Sequence, residues 1–154
     1  MGDINDDTVY IASISGGKCI ENTQKSQGVV RLRKWNQSLE QQWVLEANPE
    51  DHSSVAFKSS LDGQYLAALE PTKINGGKVG VAEAKQWWTL EQGRGPGWCH
   101  VKSQSAVVGN QAAYLNDEWG RMQDDNKIQT YKFCLLYTYP SPRDGLLSRM
   151  PSSA

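Results

Sequence analysis

The amino-acid sequence predicts an all-β fold of about twelve short strands in three equivalent units. Three observations support this prediction. An aromatic residue with a glutamine two positions before it recurs at a nearly constant spacing along the chain. Apolar and polar residues alternate with a period of two, and glycine and proline turn signals divide the alternating segments into short pieces.

The recurring motif sets the size of the units. The pairs are Gln41 with Trp43, Gln86 with Trp88, and Gln129 with Tyr131. The aromatic residues lie 45 and then 43 positions apart, which predicts one domain over residues 1–133 with repeats at about 8–47, 48–92 and 93–133. Because a half-buried amide must be hydrogen-bonded, we expect each glutamine to bond the chain turn beneath its aromatic residue.

The alternation inside a unit is typical of half-buried strands. Val30 and Leu32 alternate with Arg31 and Arg33, and the same pattern recurs in the other two units. No stretch of the sequence has a convincing helical period. Three such units would close a small barrel without leaving a long unpaired sheet edge.

The composition excludes several classes of protein. Of 154 residues, 38% are apolar and 21% are charged, which excludes a coiled coil, a collagen and a disordered chain. No apolar run is long enough to span a membrane, and the net charge of -1 gives no attraction to nucleic acid. Residues 1–7 are acidic and polar, unlike a secretory signal, so we expect a soluble, intracellular protein. The three cysteines lack the spacing of a zinc site or a disulfide framework.

Residues 134–154 resemble a translated sequencing-library adapter. The letters CLLYT correspond to the codons TGT CTC TTA TAC ACA of a transposase end, and SRMPSSA corresponds to TCT CGT ATG CCG TCT TCT GCT. We therefore predict that residues 134–154 are a non-native, disordered tail and that the evolved protein ends near Phe133.

The glutamine–aromatic motifs resemble those of ricin B-type lectin domains. The segments Gln42-Trp43-Val44-Leu45-Glu46 and Asp62-Gly63-Gln64-Tyr65-Leu66 are most similar to the small ricin B-like lectins of mushrooms. The resemblance covers residues 8–133 and implies a β-trefoil of three pseudo-equivalent repeats that binds carbohydrate without covalent chemistry. It also implies an intracellular protein linked to defence, as is frequent for this family in fungi.

The resemblance also indicates which residues would contact a sugar. It matches Glu21 to the family's sugar-binding aspartate and Asn36 to its asparagine, but Arg33 stands where the family has a stacking aromatic ring. Either Trp35 supplies the stacking surface or Arg33 pairs with an acidic sugar. The first-unit candidates are Glu21, Asn22, Arg33, Trp35, Asn36 and Gln41. The third-unit candidates are Asp117, Trp119, Asp124 and Asn126, and the second unit is expected to have no site because Ala67 replaces the acidic residue.

The sequence gives no support for catalysis, a metal or a cofactor. His52 and His100 lie in different units and match no catalytic arrangement. The expected partners are glycans, including galactose- or N-acetylgalactosamine-containing ones, bound by two pockets per chain or by a homodimer. Two other readings stay open, a trefoil protease inhibitor and a fascin-like protein-binding trefoil. Convergence of the first-unit candidates on one concave patch would favour the lectin.

Overall fold

The chain folds into short antiparallel strands joined by turns. The computed structural model describes residues 8–12, 18–23, 29–92, 99–117 and 126–131. These residues contain eleven strands and one short 3-10 helix, Leu39–Gln41. The strands are β1 (Thr8–Val9), β2 (Lys18–Asn22), β3 (Val30–Lys34), β4 (Trp43–Asn48), β5 (Asp51–Ser59), β6 (Tyr65–Ala68), β7 (Gly77–Ala82), β8 (Trp88–Gln92), β9 (Cys99–Val108), β10 (Gln111–Asp117) and β11 (Asn126–Tyr131). The predicted all-β fold is confirmed, and the described ranges hold no helix long and apolar enough to cross a membrane.

Five of the strands follow one another as antiparallel neighbours and form the wall around the core. β1 pairs with β4, β4 with β5, β5 with β8, and β8 with β9. Because side chains alternate between the two faces of a strand, each strand sends apolar residues inward. One fully buried residue from each strand belongs to the same cluster: Val9, Trp43, Phe57, Trp88 and Val101.

The other six strands form three hairpins, β2–β3, β6–β7 and β10–β11, which also pair with one another. Val29, just before β3, bridges to Gly80 of β7. Leu32 of β3 pairs with Asn126 of β11, and β11 also pairs with β7. Each hairpin therefore contacts the other two, which gives the fold its threefold arrangement.

Gly77 lies at a tight contact between β7 and β11, where it pairs with Thr130. A Cβ atom at this position would lie 2.5 Å from Thr130 Oγ1 and 2.6 Å from Lys73 O. Thr130 Oγ1 itself donates a hydrogen bond to Lys73 O at 3.0 Å. The junction between these two hairpins therefore requires a residue without a side chain.

Two tryptophan hydrogen bonds set the first two units in register. Trp43 Nε1 donates to Ile20 O at 3.1 Å, and Trp88 Nε1 donates to Leu66 O at 3.2 Å. Both indoles are fully buried, so each bond satisfies a polar group inside the core. Ile20 and Leu66, the acceptors of these bonds, therefore occupy equivalent positions in the two units. The same alignment makes Cys19 equivalent to Tyr65, Glu21 to Ala67, and Asn22 to Ala68.

The glutamines that precede the two tryptophans bond backbone groups, as predicted. Gln41 Nε2 donates to Lys34 O at 2.9 Å. Gln86 Oε1 accepts a bond from Ala68 N at 2.9 Å, and its Nε2 donates to Ala68 O at 3.3 Å. Each glutamine thus ties the segment before its tryptophan to the hairpin of the same unit.

The third predicted motif, Gln129-Thr130-Tyr131, belongs to a different kind of strand. It lies on β11, which pairs with β10 in a hairpin, as β7 does with β6. β11 also pairs with β3 and β7. The tripeptide therefore corresponds to the second strand of a hairpin, and the prediction that it repeats the motif of β4 and β8 is wrong. Residues two apart share one face of any strand, so a glutamine and an aromatic residue at this spacing also occur in strands of other kinds. The repeat boundaries and the non-native tail stay predictions.

Candidate functional site

The hairpin β2–β3 separates the first-unit candidates onto two faces. Ile20 pairs with Leu32, and both side chains are buried in the core. The next pair along the two strands is Glu21 with Arg31. Because side chains alternate between the two faces of a strand, this pair lies on the outward face, opposite to the core. Arg33 shares that outward face, since it lies two residues beyond Arg31. The structure therefore brings Glu21 and Arg33 to the same side of one hairpin.

Gln41 connects Glu21 to the loop that follows β3. Its Nε2 donates to Glu21 Oε1 at 3.2 Å as well as to Lys34 O, and its Oε1 accepts a bond from Asn36 N at 2.9 Å. The Gln41 side chain is itself completely buried. Gln41 therefore positions Glu21 and Asn36 and does not offer a surface to a ligand.

Asn36 is exposed in the loop between β3 and the 3-10 helix. Its Oδ1 accepts a bond from Ser38 N at 2.9 Å, a local turn that fixes the side chain. Gln37 between them adopts a positive φ of 65°, and its carbonyl accepts a bond from Gln42 Nε2 at 3.4 Å. The loop is thus held at several points, and the two Nδ2 hydrogens of Asn36 have no partner among the described residues.

Trp35 packs its ring onto a small cluster beside the hairpin. The cluster contains Tyr10, Ala12 and Cys19, and the Tyr10 and Trp35 rings meet edge to face with centroids 6.0 Å apart. Burial is the main cause that raises the pKa of Tyr10, and burial followed by the charge of Glu21 raises the pKa of the Cys19 thiol to about 12. Trp35 is only half-buried, so part of its ring stays accessible beside the hairpin. The support from Tyr10 and Cys19 was not predicted, because no local pattern links either residue to Trp35.

Asn22 does not join the other first-unit candidates. It follows Glu21 directly in β2 and therefore faces inward, where its side chain is completely buried. Asn22 Nδ2 donates to Ser59 Oγ and to Asp62 Oδ2, both at 3.0 Å. It links the first hairpin to the turn after β5 and lies away from the outward face.

The third-unit candidates fall largely outside the described residues. Trp119 and Asp124 lie outside them, and Asp117 and Asn126 are described only as backbone positions of β10 and β11. Asn116, their neighbour, is completely buried. Within the described part of the chain, no group of three or more His, Cys, Asp and Glu side chains could hold a metal ion.

Comparison with known proteins identifies the fold. No protein-family model and no curated protein matches the sequence. A ricin B-like lectin from Macrolepiota procera, solved in complex with lactose, matches with a TM-score of 0.74 and 14% identity over 93% of this chain and 99% of that one. The designed threefold symmetric protein ThreeFoil matches with a TM-score of 0.73 and 15% identity over 88% and 99%. The BEL β-trefoil matches with a TM-score of 0.65 and 13% identity over 90% and 95%. The chain therefore has the β-trefoil fold that the resemblance to ricin B-type lectins predicts.

Proposed function

We propose that the chain is a carbohydrate-binding protein without enzymatic activity and that it binds glycans on the outward face of β2–β3. The first-unit site comprises Glu21, Trp35 and Asn36, with Gln41 as their support and Arg33 on the same face. The observation that carries the proposal is the pair of hydrogen bonds by which buried Gln41 holds both Glu21 and the Asn36 backbone.

Each residue has a role that matches the chemistry of a pyranose. A sugar ring has an apolar face of C–H groups, which packs on an aromatic ring, and hydroxyls that need planar hydrogen-bonding groups. The accessible part of Trp35 supplies the aromatic surface. The Glu21 carboxylate accepts hydrogen bonds from hydroxyls, and Asn36 Nδ2 donates one.

Galactose-containing glycans are the first ligands to test, because the similar Macrolepiota procera lectin was solved with lactose. Arg33 adds a guanidinium group to the same face as Glu21, so sialylated glycans are the second class. The Glu21 carboxylate would repel the carboxylate of an acidic sugar. We therefore propose that neutral galactosides bind more tightly than sialylated ones.

A glycan array probed with the full chain tests this proposal. Glu21→Gln keeps the side-chain volume and removes the charge, and we expect it to weaken binding several-fold, since a hydrogen bond contributes about 1.5–3 kcal/mol with a charged group and about 0.5–1.5 kcal/mol with a neutral one. Glu83→Gln is the matched control, because Glu83 is exposed in the turn after β7 and lies outside the site. A folded chain that binds no glycan, or a Glu21→Gln variant that binds as the wild type does, would refute the proposal.

A further inference from the structure

The connection between β9 and β10 is longer than its counterparts in the other two units. Ser59 of β5 and Ser103 of β9 occupy equivalent positions, since each pairs with the buried tryptophan of the preceding strand. Each connection is bounded by one antiparallel pair of residues: Ala12 with Cys19, Lys58 with Tyr65, and Lys102 with Tyr114. The first two pairs enclose six residues each, and the third encloses eleven, 103–113. Two of the three units therefore do without the five additional residues.

The longer connection ends in a tight hairpin. Val108 pairs with Gln111, so only Gly109 and Asn110 connect the two strands. Gly109 has a positive φ of 63°, as the first central residue of a type II′ hairpin turn has. We call residues 107–111 the hairpin tip, and all five of them are exposed.

The base of this hairpin is held firmly. Ala106 on one strand and Ala113 on the other are completely buried. Ser103 Oγ accepts hydrogen bonds from Ser105 N at 3.0 Å and from Ala106 N at 2.8 Å. A ribbon that is anchored on both strands and closed by a two-residue turn loses little conformational freedom when a partner binds it.

The hairpin tip presents apolar side chains to solvent on both of its faces. Val107 and Val108 are 43% and 46% exposed, and as consecutive residues of a strand they point to opposite faces. Within the described ranges, Leu39 is the one other large apolar side chain that is exposed to this degree. A partner that covers both valines is therefore concave, because it contacts both faces of the tip at once.

The hairpin carries no charged side chain. Residues 103–116 contain no Asp, Glu, Lys, Arg or His. Association through the tip therefore depends on apolar contacts and not on ion pairs. A lipid surface is a poor match, because stable attachment needs a larger apolar face or a basic patch. A protein cleft with uncharged, apolar walls matches the tip in shape and in chemistry.

We propose that the hairpin tip enters the active-site cleft of an endopeptidase with apolar subsites and blocks it. Such a cleft is a groove that receives a peptide chain and holds its side chains in pockets. Val107 and Val108 fill the apolar pockets, and the firm base of the hairpin lowers the entropic cost of binding. The block is steric, so no bond forms or breaks. This function is separate from the proposed glycan binding, which uses the outward face of β2–β3.

The conformation of the tip makes it an inhibitor and not a substrate. Endopeptidases cleave peptide bonds in an extended chain, whereas Gly109 lies in a turn with a positive φ. Extending the chain there would break the pairing of Val108 with Gln111 and of Val107 with Ala112. The bound tip therefore stays intact.

Inhibition assays with the full chain test this inference. The panel contains papain, elastase, chymotrypsin, pepsin and thermolysin, which select apolar side chains, and trypsin and glutamyl endopeptidase, which select charged ones. We expect inhibition of papain or elastase, whose pockets accept valine, and no inhibition of the two charge-selective enzymes. Mass spectrometry after the incubation should find the chain uncut within residues 107–111.

Serine variants locate the contact. Val107→Ser and Val108→Ser each remove an exposed apolar side chain, so folding should be unaffected, as circular dichroism can confirm. We expect each variant to raise the inhibition constant about tenfold, because the burial of one valine is lost. Leu39→Ser is the matched control, since it removes an apolar side chain of 53% exposure elsewhere and should inhibit as the wild type does. Both valine variants should bind glycans as the wild type does.

The inference fails if a folded chain inhibits none of the five enzymes that select apolar side chains. It also fails if the two valine variants inhibit as the wild type does, since the contact then lies elsewhere. Cleavage within residues 107–111 would make the tip a substrate. Binding to phosphatidylcholine vesicles that both valine variants lose, without inhibition of any enzyme, would assign the tip to a lipid surface. The array with Glu21→Gln tests glycan binding separately.

Discussion

The first and second hairpins share a core and differ on their surfaces. In both units a buried tryptophan donates to the backbone of the hairpin, and a glutamine two residues before it ties down the chain. At equivalent positions of the outward faces, however, the first unit has Cys19 and the second has Tyr65. Cys19 lies beneath Trp35, whereas Tyr65 reaches Glu46 and Lys85. The repeated positions hold the fold, and the unrepeated ones provide two chemically different surfaces.

The largest expected effect comes from removal of either buried tryptophan. It tests whether the two units contribute equally to the free energy of unfolding. Trp43→Ala and Trp88→Ala each remove a fully buried indole and its hydrogen bond to the hairpin. We expect each substitution to lower the free energy of unfolding by about 3–5 kcal/mol, and by similar amounts, because both leave a large cavity. Urea denaturation followed by circular dichroism measures both losses.

Phenylalanine at the same positions is the control. It keeps an aromatic ring in the core and removes the N–H donor and part of the indole volume, so each of these variants should lose less than its alanine counterpart. A loss in one unit that is less than half the loss in the other would contradict the equivalence of the two units.

Exchange of the residue that distinguishes the two hairpins has the next largest effect. Cys19→Tyr introduces a ring beneath Trp35 at a position that is only 1% exposed, and such overpacking costs about 1–3 kcal/mol. Because Trp35 must move, glycan binding through the first-unit site should also fall at least tenfold. Isothermal titration calorimetry and urea denaturation measure the two effects.

Cys19→Ala provides the matched control for this exchange. It removes the thiol without adding volume, so Trp35 keeps its contacts with Tyr10 and Ala12 and binding should stay close to that of the wild type. Undiminished glycan binding by a folded Cys19→Tyr variant would show that the position of Trp35 does not matter for the site.

The parts of this molecule that could be predicted are those that the sequence repeats. The roles of Trp43 and Trp88 and of their glutamines follow from two copies of one pattern. The inward direction of Asn22 could also have been predicted, since it alternates with Glu21 in a strand of period two. The contacts among Glu46, Tyr65 and Lys85 could not, because these residues meet only through strand pairing. Alternation also misled the prediction for Gln129 and Tyr131, whose spacing does not distinguish one kind of strand from another.

The Cys19 thiol gives the first hairpin a pH-dependent stability. Its pKa is raised from 9.0 to about 12, so the thiolate is disfavoured in the folded chain and forms first in the unfolded one. The stabilising effect is complete below pH 9 and is lost as the pH rises towards 12. At pH 10 the expected loss is about 1.4 kcal/mol.

Urea denaturation from pH 8 to pH 10 measures this loss, with Cys19→Ala as the reference that lacks the thiol. The free energy of unfolding of the wild type should fall more steeply with pH than that of the variant. Parallel pH profiles would mean that the thiol is not held in its protonated form.

The smallest expected effect belongs to the ion pair between Lys85 and Glu46. Lys85 lowers the pKa of Glu46 from 4.5, so the pair contributes fully above pH 4.5, and its contribution is lost as the pH falls through the pKa of the folded state. Side-chain exposures of 38% for Lys85 and 29% for Glu46 allow solvent to screen the pair, and Glu46→Gln should therefore cost only about 0.5 kcal/mol at pH 7. That cost should shrink towards zero at pH 3, whereas the exposed control Glu83→Gln should differ little from the wild type at either pH. A cost of Glu46→Gln that stays constant from pH 7 to pH 3 would assign the stabilisation to packing and hydrogen bonding by the side chain.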